Sequence, residues 1–455
     1  MKITKLFFAA TLALLLFSAS STHSQWVYVG GFSYSGTYPP SVSVVDANTV
    51  WVCGGYGVPL VYRSTNAGVN WTSAIGNLTL DQFCVWGIDA NTAYVGDGGV
   101  ALGAGGNAKV NKTTNGGVNW TLVLSTGGSY GFINGIVFSR TNPQVGVIES
   151  DPPNNTGTSY WVQLTTNGGT SWTLLQPPGI SGAASAQNSV ICIDASYFGY
   201  GINVAPARVT WTSNGGSSWT TSTLTGLTGV FTSAYTMSTD KIHGLATTAT
   251  DLPNIGMTTN GGVSFSLVNI GSGISSPTLS VAKWVPGTNI IFVGGSILTA
   301  NGIVKSIDGG ATWHVMTTGG ISAISHLDVY KEANNVIHAY AVAGDGSCLR
   351  LRDSTLFLGV NNNNSNVPSE YALEQNFPNP FNPSTTIKYA LPRSSNVMLK
   401  IYDMLGNEVR TVVNEFKPAG SYSVNFDASS LSSGVYFYKI VAGDFTDAKK
   451  MTLVK

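Results

Sequence analysis

The sequence is poor in charge. Lys, Arg, Asp and Glu make up only 10% of its 455 residues, far below the ~25% of an ordinary soluble domain. The 22 basic and 22 acidic residues cancel, which excludes a nucleic-acid binder, because counterion release needs clustered positive charge. Cysteine is scarce as well. Cys53, Cys84, Cys192 and Cys348 lie far apart, each in an apolar, strand-like context and without zinc-type spacing. They read as buried free thiols, since a chain of this length needs no disulfide framework. Histidine is equally thin: His243, His314, His326 and His338 are scattered, so no metal site and no other cofactor is expected. Outside residues 6–19 no apolar run approaches the ~20 residues of a membrane helix, and an integral membrane protein is not expected. No helical period appears beyond that run, which leaves strands as the regular structure.

At the N-terminus, Lys2 and Lys5 precede the apolar run, and small polar residues follow it. That order reads as a secretory signal peptide over residues 1–24, too short to stay as an anchor. Passage through the Sec machinery is the expectation.

Glycine, by contrast, is plentiful, at 54 residues, and recurs in one phrase. STNAGVNW (64–71), TTNGGVNW (113–120), TTNGGTSW (165–172), TSNGGSSW (212–219), TTNGGVSF (258–265) and SIDGGATW (306–313) share a pattern. Their third residues, Asn66, Asn115, Asn167, Asn214, Asn260 and Asp308, are spaced 46 to 52 apart. A period in the forties, made of short strands and Gly-rich turns, signals a β-propeller with one four-stranded blade per repeat. The Asn or Asp oxygen is expected to accept an N–H two residues on, and a glycine to take a φ > 0 position. The aromatic residue, Trp71, Trp120, Trp172, Trp219, Phe265 or Trp313, should start the next strand and bury its ring between blades.

Between the last phrase and the first, the chain leaves room for nearly two periods. Seven blades fit this better than six. Residues 323–353 supply three strands of the seventh, and the N-terminal QWVYV supplies its fourth, with Trp26 in the place of the phrase aromatic. The phrase resembles the Asp-box (BNR) repeat of sialidases, sortilin-type receptors and photosystem-assembly-factor-like propellers; Ala67 and Phe265 depart from it. The box is a turn, so the resemblance implies a fold and no activity.

The propeller is expected over 25–353, followed by an Asn-rich linker at 354–370. Alternating strands VMLKIYD, YSVNFD and VYFYKIV then give a small immunoglobulin-like β-sandwich over 371–455. This segment resembles the type A C-terminal sorting domain of the type IX secretion system, through NFPNPFNPSTTIKY, IYDMLGNEV, SGVYFYK and a basic last strand. The resemblance implies export through the periplasm, recognition by the type IX outer-membrane translocon, and a cell-surface or secreted destination.

The rest of the sequence carries less. A sialidase-type reaction needs an arginine cluster, whereas Arg63, Arg140, Arg208, Arg350 and Arg352 are dispersed. The glycine-rich stretch 96–106 lacks the Lys-Ser/Thr of a phosphate loop. Candidate ligand contacts are Tyr34, Tyr38, Tyr56 and Tyr130, in loops assigned to the face opposite the boxes. Asp97, Glu149 and Asp151 are the carboxylates assigned there as loop residues, and no catalytic residue is nominated. Exposed tyrosines among Asn, Ser and Gly suit sugar stacking or protein contact. The expectation is a secreted or surface binding module for a glycan or protein ligand. The alternative, a polysaccharide-active glycoside hydrolase on the same face, needs two carboxylates facing each other across a cleft.

Overall fold

The computed structural model describes residues 26–32, 40–55, 59–99, 107–127, 131–151, 159–179, 184–185, 189–229, 231–271, 280–295, 302–316, 318–319, 321, 323–353, 370–392, 395–417, 420–443 and 445–455. The signal-peptide segment and the linker up to 369 lie outside these. Two compact units divide the chain, 1–357 and 358–455.

The first unit is a seven-bladed propeller of antiparallel sheets. Blade one runs Ser41–Val44, Val50–Gly55, Pro59–Ser64 and Thr72–Ser73, each strand bonded to the next. Blades two, three, five and six repeat this meander. In blade four the first strand is split into Ala184–Ser185 and Ile191–Cys192, both paired with Phe198–Asn203. Inner strands are covered on both faces and therefore read as near-continuous buried runs. Gln82–Gly87, Ala93–Asp97 and Ile291–Gly295 are buried at every position. The first strands of neighbouring blades pack together around the axis.

Blade seven takes Ile324–Lys331, Ile337–Ala343 and Ser347–Asp353, and its outer strand is Val27–Gly31. The register is Val27↔Arg350, Tyr28↔Leu349 and Gly31↔Ser347, so the edge of the last strand is paired by the first. Trp26 is buried and meets Phe292 of blade six edge-on at 6.1 Å. The phrase aromatics make the same step to the preceding blade. Trp120 donates its indole N–H to the Ala74 carbonyl at 2.9 Å and lies 6.3 Å from Trp51.

All six glycine-rich phrases fold into one turn, and its hub is the first residue. The Oγ of Ser64, and the equivalent hydroxyls of Thr113, Thr165, Thr212, Thr258 and Ser306, accept the N–H of the fifth-position glycine at 2.8–3.0 Å. That N–H is the one the sequence reading gave to the Asn or Asp oxygen. The buried hydroxyl takes it first, and the Asn or Asp oxygen reaches the N–H four residues on instead. The fourth-position N–H binds the hairpin between strands one and two of the same blade, as Gly116 does to the Asn91 carbonyl at 2.9 Å. Both central positions are left-handed, and Ala67 occupies the first of them at φ 61°.

The second unit is a two-sheet β-sandwich. Ala372–Leu373, Ser384–Leu391 and Gly420–Asp427 form one sheet, and Glu408–Lys417, Ser395–Tyr402, Gly434–Ala442 and Phe445–Leu453 the other. Phe381, Ile387, Leu399, Phe426, Tyr438 and Leu453 meet in its core. The Pro-rich entry lies along the last strand. Phe381 N–H donates to the Thr452 carbonyl at 2.9 Å, Val454 N–H to the Phe381 carbonyl at 3.0 Å, and Thr452 N–H to Asn379 Oδ1 at 2.9 Å.

Candidate functional site

Each first strand runs toward the face that carries the box turns, because it ends in the hairpin to which the box N–H is bonded. The last residues of these strands line a channel along the axis. Among the described residues, three chambers follow one another inward. The outermost, about 420 Å³, is bordered by Trp86, Arg140, Thr141, Pro286, Tyr330 and Lys331. The next, about 70 Å³, shares Trp86 and Arg140 and adds Thr236, Lys283, Trp284 and Asp328. The innermost, about 20 Å³, is bordered by Ser41, Lys283, His326 and Asp328.

A charged network spans the channel. Asp328 Oδ2 accepts the Val44 N–H at 2.8 Å and a guanidinium N–H of Arg140 at 2.5 Å. Arg140 also donates to the Val44 carbonyl at 2.7 Å, and its guanidinium carbon lies 4.3 Å from the Trp86 ring centre. One arginine of blade three thereby touches blades one, two and seven. His326 Nδ1 accepts the Val42 N–H at 2.9 Å, so a neutral ring carries its proton on Nε2. Burial, reinforced by Lys283, holds that imidazole well below its ordinary pKa, so it is neutral at pH 7. Lys283 is partly buried in the wall of the inner two chambers. Burial lowers its pKa; Asp328 opposes that and Arg140 adds to it. Among the described residues, Lys283 has no ion-pair partner, because Asp328 is engaged by Arg140.

Of the residues nominated from sequence, Asp97, Glu149 and Asp151 lie outside the lining of these chambers. Tyr34, Tyr38, Tyr56 and Tyr130 are outside the described residues. Asp97 and Glu149 are strand residues, in Ala93–Asp97 and Gly146–Ser150, and both are buried rather than held in loops. The second strands of blades two and three extend farther than the turn residues suggested. Asp97 Oδ1 accepts the Gly99 and Lys109 N–H groups at 2.9 and 2.7 Å, joining the two ends of the intervening loop. Burial nevertheless raises its pKa, against those bonds. Asp151 accepts from Asn134 Nδ2 at 2.7 Å. None of these three carboxylates borders the channel chambers. The chambers bordered by described residues open on the box face. All four cysteines are free and buried, and burial pushes the Cys192 thiol up to about 12.

The channel residues had a signal that went unused. Lys283 interrupts the apolar strand SVAKW, and His326 and Asp328 interrupt ISHLDVY two residues apart. Two residues apart on a strand means one shared face.

Residues 375–454 match the family of secretion system C-terminal sorting domains. No curated protein matches the sequence. Among solved structures, the chain is similar to an ancestral GH74 enzyme at 14% identity and a TM-score of 0.51, covering 94% of this chain and 63% of that one. It is similar to a chain of the mitotic checkpoint complex at 12% identity and TM-score 0.51, covering 77% and 99%. It also resembles PorZ, a surface component of the type IX secretion system of Porphyromonas gingivalis, at 12% identity and TM-score 0.45, covering 91% and 59%. Likeness at these identities is one of fold, the β-propeller.

Proposed function

We propose that this protein is an exported binding module, carried out of the cell by its C-terminal domain through the type IX system, whose propeller holds an extracellular ligand at the channel mouth. The carrying observation is the composition of that mouth. Its described lining offers Trp86, Arg140, Tyr330 and Lys331 but no carboxylate, and the carboxylate deeper in, Asp328, is engaged by Arg140. Glycoside hydrolysis by the usual route needs two carboxyl groups, one on each side of the bond to be cut. Cationic and aromatic side chains around a concave site instead suit recognition.

The test incubates the full-length protein with panels of polysaccharides and extracellular proteins, and reads both binding and new reducing ends. Binding without product, weakened at least tenfold by Trp86→Ala, is the expected result. Product formation abolished by joint substitution of Asp97, Glu149 and Asp151 would install the hydrolase reading in its place. Export is tested separately, by fusing residues 371–455 behind a foreign cargo that already carries a signal peptide. Surface or medium delivery of the fusion is expected; retention in the periplasm counts against the route.

A further inference from the structure

We propose that the chamber of about 70 Å³ behind the channel mouth is a carboxylate pocket, which seats one carboxylate on a slender aliphatic arm against Lys283. The inference rests on the channel being the ligand site and names the chemical class that enters it.

Charge counting comes first. Arg140 and Lys283 face a single carboxylate, Asp328, across the chamber, while the neighbouring His326 is neutral. One positive charge is left over. It resides on Lys283, because Asp328 is ion-paired with Arg140 and Lys283 forms no ion pair among the described residues. A partly buried ammonium without an ion-pair partner is costly to keep, and a costly charge in a cavity marks a site built for an opposite one. A monoanion completes the balance. A dianion such as phosphate overshoots it and meets Asp328.

Size comes second. An engineered cavity of ~150 Å³ holds one benzene ring, so a chamber of about 70 Å³ takes a group smaller than a ring. A carboxylate fits; a sugar ring does not. The passage from the outer chamber is bordered by Trp86, Phe138, Arg140, Thr141, Pro286 and Val329, which both chambers share. Four of these six are apolar and suit the methylenes of an arm, while Arg140 adds a cation at the entrance. A free short-chain acid and the carboxyl group of a peptide present the same chemistry at this depth.

The experiment titrates full-length protein with butyrate, glutarate and inorganic phosphate at constant ionic strength, reading saturable NMR shifts and the melting temperature. Two further arms use a short peptide with a free C-terminus and its amidated twin. Butyrate and glutarate should saturate, on the order of millimolar Kd for so few contacts, with phosphate at least tenfold weaker. Lys283→Met should lose the carboxylate response at least tenfold while melting at or above the parent temperature, because it removes an uncompensated charge. Lys283→Arg should keep part of the response. Affinity should fall as pH rises above neutral, earlier than an ordinary lysine titrates, because burial lowers the Lys283 pKa and only the protonated form attracts the anion. A free-acid peptide binding more tightly than butyrate assigns the source to peptides; equal affinity of the amidated twin excludes its terminal carboxylate.

No saturable carboxylate response, phosphate binding as tightly as butyrate, or an unchanged response in Lys283→Met each overturn the pocket. A neutral ligand bound in a Trp86-dependent way, with carboxylates inert, overturns the pocket but leaves the channel as the binding site. A ligand indifferent to both Trp86→Ala and Lys283→Met overturns the two together.

Discussion

Six turns on the rim of the propeller carry the same buried hydroxyl and the same two left-handed residues. On the same face, each charged side chain of the inner channel comes from a different blade: Arg140 from three, Lys283 from six, Asp328 from seven. The rim solves one problem six times, which is what a structural joint requires. The charged residues of the channel break the sevenfold likeness, which is what recognition of an asymmetric ligand requires. Repetition therefore reports on architecture here, and departures from it report on the site.

The sharpest way to break this contrast is to remove Arg140. Arg140→Met leaves Asp328 buried without its partner and should cost about 3–5 kcal/mol in urea unfolding. Adding Asp328→Asn should recover a large part; if the double variant is no better than the single, the pair is not the source of the loss. Next comes the rim. At Gly169 (φ 79°) a Cβ would stand 2.1 Å from Tyr94 Oη, so Gly169→Ala should cost about 3 kcal/mol from strain and overpacking together. Ligand affinity of the remaining folded protein should be unchanged.

The two polar partners of the turn should separate. Thr165 is buried and serves the Gly169 N–H, whereas Asn167 is exposed. Thr165→Val should thus cost about 2 kcal/mol, through an unsatisfied buried donor, and Asn167→Ala about 1 kcal/mol. The reverse order would return the hub to the Asn. Smallest is Ala67→Gly, which relieves a left-handed alanine but adds freedom to the unfolded chain. Those terms nearly cancel, so thermal melting should show a change within about 0.5 kcal/mol.

Much of the architecture was legible because it is local. The octapeptide repeats within six blades, and the space left between its last and first copies implied the seventh blade and its N-terminal strand. The sorting domain was legible for the same reason, its motifs being contiguous. The turn's hydrogen-bond hub was misread because a Ser or Thr at the end of a β-rich stretch looks like an ordinary strand residue, and only burial reveals it as the better acceptor. The channel was harder. Its residues come from strands dozens of positions apart, and no two share a motif; even the paired positions 326 and 328 become informative only once their strand is known to face the axis.

The pairing of Val27–Gly31 with Ser347–Asp353 also sets a timetable. Six blades are built from contacts close in sequence and can form early, whereas the seventh waits for strands from nearly opposite ends of the propeller. Long-range pairing of this kind is slow, since the loop must be closed before any contact rewards it. During that wait Trp26 is unburied and the Ser347–Asp353 edge is unpaired. Holding the N-terminal strand away from that edge would suspend the final step while leaving the earlier ones to proceed. A protease that cuts open rings and spares closed ones distinguishes finished molecules from unfinished ones by this one strand.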